Sequence, residues 1–210
     1  MTRSPGPESS PAAEATPGPR HHYLGPWRVD ITDRHGPEPL PGPRAGLVRA
    51  IAAALNAAGA PRPASVGLIL TTDRELAALN EVHMGHEGPT DVLSFPLLPP
   101  EAFPPHPQGP GARQSSTQGP ADGAAPGTPA FVLPAGLRTH VGDIVVSVER
   151  AVEQASGGRG GHSGTTRWAP ADELRLLVTL GTLHLCGWDH ADPIEGDAMR
   201  ALERRLLGTE

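Results

Sequence analysis

The chain has 210 residues, 26 of them glycine and 26 proline, and a formal net charge of −6. All 17 basic residues are arginine, which excludes a Schiff-base lysine and a P-loop lysine. The acidic balance means that any nucleic-acid contact must come from a local arginine surface, and the single cysteine, Cys186, excludes an intramolecular disulfide.

No apolar run approaches the ~20 residues needed to span a bilayer, and the N-terminus lacks a hydrophobic signal region. A cytoplasmic protein without membrane contact is expected. Residues 1–22 are Pro, Ser, Ala and Gly with scattered charge, and they read as a disordered tail. Trp27 to Ile31 alternates apolar and polar, as a half-buried strand does. After the Pro-rich loop from Pro37 to Pro43, Leu47, Val48, Ile51, Ala54 and Leu55 fall at helical spacing, with Gly59 as a stop.

Ser65 to Thr72 reads as a buried strand. Asp73 is a good N-cap for a helix running to about Val82, closed by Gly85 and Gly88. Pro89 to Pro96 is a strand bracketed by prolines. Residues 98–137 are Pro, Gly, Gln, Ser and Ala with almost no apolar pattern, and they read as a low-complexity insertion. A strand from Gly142 to Ser147 leads into a helix from Val148 to Ala155, followed by a Gly-rich loop from Ser156 to Thr166. That loop follows a helix and lacks Gly-x-Gly-x-x-Gly, so it is a linker and no dinucleotide cradle.

The most informative stretch begins near Ala169, with Pro170, Asp172 and Glu173 placed where a helix N-terminus favours them. The helix is apolar, carries His184 in its last turn and stops near Gly187, beyond which stands His190. His-x-x-Gly-x-x-His is the spacing of two zinc ligands separated by a chain reversal. A first ligand in that pattern lies one turn earlier, at i−4, where this chain has Leu180. A lone histidine on an apolar helix is usually a satisfied core residue; the reversal and the second histidine are what favour a metal site. Buried in the same helix, Cys186 reads as an inert thiol. Asp192-Pro193 opens a last helix ending about Leu207.

These residues carry a family resemblance. Gly181-Thr182-Leu183-His184-Leu185-Cys186-Gly187-Trp188-Asp189-His190 resembles the signature of the YbeY family, with Leu180 for its first histidine and Trp188 for its tyrosine. Asn80 with the string from Pro89 to Pro96 matches a second family pattern, except that Met84 stands where the family has arginine. Met199 and Glu203 fall where the signature continues.

The resemblance implies a single α+β domain over 23–97 and 138–208, a small mixed sheet packed with helices around the histidine-bearing helix. It also implies a metal-dependent, single-strand-specific endoribonuclease acting in ribosomal RNA maturation. One zinc ion on His184 and His190 would be weakly bound for want of the third ligand. Asp91 and Ser94 would serve in catalysis. Partners would be ribosomal RNA and the small ribosomal subunit or its assembly factors, with no DNA; the oligomeric state stays open. Asp189, His83, His86, His140 and His162 are the side chains that could complete the ligand set, although each of these histidines reads first as a solvated surface residue. Arg138, Arg150 and Arg175 are the candidates for phosphate contact. The alternative is a catalytically weakened assembly factor that keeps the fold and the RNA or ribosome contacts. A metalloprotease needs a glutamate after the first histidine position, and Gly181 stands there.

Overall fold

A computed structural model describes residues 18–85, 88, 90–107, 137–156 and 168–208. The Gly-rich loop and the greater part of the expected insertion and N-terminal tail lie outside them.

Strand β1 (Arg20–Leu24) turns through Gly25 into β2 (Trp27–Asp33), and helix α1 (Arg44–Ala57) follows. Next come β3 (Ala64–Thr71), α2 (Asp73–Met84), β4 (Val92–Pro96) and β5 (Thr139–Ser147). Three helices complete the chain: α3 (Val148–Ser156), α4 (Pro170–Leu185) and α5 (Pro193–Leu207). The sheet order is β1-β2-β3-β5-β4. Strands β2, β3 and β5 are parallel, and β1 and β4 run antiparallel along the two edges. The fold is α+β with a mixed sheet, as expected.

Period-2 alternation divides the sheet residues between two cores. Val29, Val66, Leu68, Leu70, Ile144 and Val146 meet α1 through Leu47 and Ile51 and α4 through Leu174, Leu177 and Val178. On the other face, Val145 and Leu93 meet Leu76 of α2. Helix α4 touches α1, α3, α5, β4 and β5, so the histidine helix is central.

Three expectations change. The tail was drawn to residue 22, but Arg20–Leu24 pairs with β2 from Arg20↔Ile31 to Leu24↔Trp27. It escaped detection because an edge strand facing solvent has no apolar alternation to show. Thr72, one residue before Asp73, is the N-cap of α2, its side chain accepting from the Glu75 N–H at 3.4 Å.

The expected insertion also begins too early. A short 3-10 turn at Pro100–Ala102 leads to Phe103, which is 7% exposed, and Leu98 packs on the main core. Residues 98–107 are therefore part of the packed domain.

Candidate metal centre

The end of α4 is shaped by its own backbone. Gly187 has φ +86°; its N–H donates to the His184 carbonyl at 3.0 Å, and the Trp188 N–H donates to the Leu183 carbonyl at 3.1 Å. This pair of bonds is a Schellman cap, which needs a left-handed residue and places an apolar contact across the turn. Leu183 and Trp188 supply that contact in the cluster with Ala54, Met199 and Leu202. The reversal returns the chain so that the His184 and His190 rings lie 5.3 Å apart at 78°.

The chemistry of each imidazole follows from its partners. His184 Nδ1 lies 2.8 Å from the Trp188 carbonyl. A carbonyl only accepts, so Nδ1 carries a proton and the neutral ring has its lone pair on Nε2, the tautomer a metal-ligating histidine takes. Desolvation holds the His190 pKa below the ordinary histidine value; the nearby His184 and Arg200 add to this, and Asp189 and Glu195 oppose it. A neutral imidazole is the form that ligates a metal.

Leu180, one turn before His184, is half-buried and packs against the Leu183–Met199–Leu202 cluster. An aliphatic side chain offers no donor. Among the described residues, no group of three or more His, Cys, Asp or Glu side chains could hold a metal ion. The other candidates do not fill the gap. His140 bonds Ser65 and Asp143 on the sheet, and His83 sits edge-on to Phe95 at 5.3 Å. Asp189 Oδ1 accepts from the His190 N–H at 2.6 Å, and His86 and His162 lie outside the described residues. The residues present fit zinc as two of its ligands and fall short of the three protein ligands usual at a catalytic zinc.

Sequence reading missed a support behind this turn. Glu195, 4% exposed, accepts the Asp189 N–H at 2.8 Å, and His106 Nδ1 lies 3.2 Å from the same carboxylate oxygen. The His106 ring stacks on Trp188 at 4.4 Å. The only sequence signal for His106 was Phe103, an aromatic residue within a Pro-rich stretch.

Ser94 and Asp91 hold β4 in place. Ser94 Oγ donates to the Gly181 carbonyl at 3.0 Å, joining the edge strand to α4. Asp91 Oδ2 accepts from Gln154 Nε2 at 3.1 Å, and its carbonyl accepts from the Ser147 N–H. Asn80 Nδ2 donates to the Gly88 carbonyl at 3.3 Å, tying α2 to the turn before β4. Met84 is the last residue of α2. Cys186 is 1% exposed, and burial pushes its thiol pKa up to about 12, so it is inert as read.

The family model described as endoribonuclease YbeY matches residues 44–209. The chain belongs to the YbeY family. Its relatives include proteins named endoribonuclease YbeY from three organisms. The one from Salinispora tropica is 38% identical, covering 74% of this chain and 80% of its own. That from Renibacterium salmoninarum is 39% identical over 66% of this chain and 67% of its own. The Thermobifida fusca protein is 31% identical over 85% and 91%. A solution structure from Thermotoga maritima aligns with a TM-score of 0.42 at 19% identity, covering 85% of this chain and 89% of that one. The YbeY match takes in His184, His190 and the β4 string, and it begins after β1 and β2.

Proposed function

We propose that this chain is an endoribonuclease that hydrolyses single-stranded ribosomal RNA during ribosome maturation, in the cytoplasm, with the small ribosomal subunit or its assembly factors as partners. Membership in a family of named endoribonucleases supports an RNA substrate and a hydrolytic reaction. The observation that carries the reading is the His184–His190 pair, two imidazoles turned to one space at the end of a helix whose cap enforces the approach.

His184 Nε2 and His190 would hold a zinc ion, which when bound supplies a Lewis acid and lowers the pKa of its water. The Trp188 carbonyl fixes the His184 tautomer, and Glu195 holds the Asp189 amide so that the turn keeps its shape. Ser94 sets the position of α4 through Gly181, and Asp91 anchors the start of β4. Both act by positioning.

Leu180 favours a second reading, a ribosome-assembly factor with weakened catalysis. With one of three ligands replaced by an apolar side chain, zinc affinity should fall by more than the ~10–100-fold typical of losing a supporting hydrogen bond. The two readings separate in one assay. The purified chain, supplied with excess zinc, is incubated with a single-stranded ribosomal RNA fragment, with His184→Ala as control. Zinc-dependent cleavage lost in His184→Ala supports the endoribonuclease; RNA binding without cleavage supports the assembly factor.

A further inference from the structure

Strand pairing places Tyr23 opposite Arg28, Arg28 opposite Ser65, and Ser65 opposite His140. Residues directly paired across a sheet share a face, so these four form a row across β1, β2, β3 and β5. Val29 and Val66, next in sequence to Arg28 and Ser65, point the other way into the core. The row is polar and basic in a chain of net charge −6.

Its chemistry is specific. Tyr23 is 64% exposed, and the Arg138 guanidinium lies over its ring at 5.6 Å. Tyr23, Arg28, Leu137 and Arg138 line a hollow of about 260 Å³. The carboxylates on this face are occupied: Asp30 bonds His21 at 2.6 Å and Arg28 at 3.0 Å, and Asp143 lies 3.2 Å from His140. Among the described residues no carboxylate pairs with Arg138, and the Nε groups of Arg28 and Arg138 are shielded from solvent without a protein acceptor. Of the three arginines considered from sequence, Arg150 pairs with Asp73 and Glu153 and Arg175 with Asp172, so Arg138 alone keeps its charge available.

We propose that this row is a subsite for single-stranded RNA, with a base stacked at Tyr23 and backbone phosphate at Arg138. Exposed aromatic rings beside arginines on an open sheet are how single-stranded RNA is held, about two or three bases per sheet face. The row lies on the sheet face opposite α4: Gly142 pairs with the core residue Val66 and an added Cβ on it would meet Leu185 at 2.9 Å, whereas Ser65 and His140 face the other way. An RNA strand held here would lie across the sheet from the histidine pair. Tyr23 and Arg28 precede the residues that the family model matches. The proposal rests on the RNA reading above.

The test uses the full chain and a short fluorescein-labelled oligouridine, with anisotropy followed from about 50 to 200 mM salt. Tyr23→Ala should weaken binding about tenfold and Tyr23→Phe, which keeps the ring, should restore it. Arg138→Gln should reduce the slope of log affinity against log salt by about 1. Arg175→Gln should leave affinity and slope unchanged. Circular dichroism checks that each variant is folded, which the exposure of Tyr23 favours. If Tyr23→Ala and Arg138→Gln bind like the wild type, the subsite is wrong, the RNA reading stands, and the patch is free for a protein partner. A wild-type chain that binds no oligouridine at the lowest salt removes the RNA reading and the subsite together.

Discussion

Ser94 Oγ donates to the carbonyl of Gly181 across 3.0 Å, joining β4 to α4. An added Cβ on Gly181 would stand 2.6 Å from Ile144 Cγ2, 3.0 Å from Val92 Cγ2 and 3.3 Å from Ser94 Oγ. The glycine after the missing ligand is thus a packing requirement between helix and sheet. It is also why no glutamate base can stand there.

Gly181→Ala sets two effects against each other. Alanine gains about 1 kcal/mol of helix propensity, and overpacking a core costs about 1–3 kcal/mol. Ile144 is fully buried and cannot swing aside, so the clash wins. The expected result is a melting temperature lower by about 3–6 °C. A rise would mean that the sheet yields to the helix.

Phe103 tests whether the start of the Pro-rich segment is structural. Truncating a buried phenylalanine costs about 3 kcal/mol or more, so Phe103→Ala should lower the melting temperature by about 6–12 °C. A change within about 2 °C would show that residues 98–107 contribute little to the core.

How much of this was legible follows from where the signal lies. Leu47, Val48, Ile51 and Leu55 announce α1 because their helical spacing and their burial are the same fact. His184, Gly187 and His190 announce a turn because a Schellman cap is local. Arg20–Leu24 gives no such signal, since its stability comes from a ladder with β2 and one polar face. The contacts of His106 with Trp188 and Glu195 join residues distant in sequence, and beyond Phe103 in the same Pro-rich stretch nothing local reports them. Leu180 could be named as a substitution but not placed, because its cluster includes Ala54, Met199 and Leu202 from two other helices.

Glu203 gives a pH dependence. Burial pushes its carboxyl pKa up; Arg204 and Arg200 pull it down, and Glu173 adds to the rise. The folded pKa is above the unfolded one, so the penalty on folding is full above the folded pKa and disappears as pH falls below the unfolded value. Glu203→Gln should therefore raise the melting temperature by a degree or two near neutral pH, and the gap should close towards about pH 4. A gap that widens in acid would reverse the sign of the shift.

The central claim is that Leu180 occupies the place of a missing ligand beside His184 and His190. Leu180→His keeps helix propensity within about 0.5 kcal/mol but gives up part of an apolar contact with Met199 and Leu202, so a modest loss of stability without metal is expected. The direct measurement is zinc content and affinity of the purified wild type, Leu180→His and His184→Ala under identical loading. The account predicts sub-stoichiometric, readily exchanged zinc in the wild type, near one zinc per chain in Leu180→His, and none in His184→Ala. A wild-type protein that already holds one zinc tightly, unaltered by Leu180→His, would contradict it.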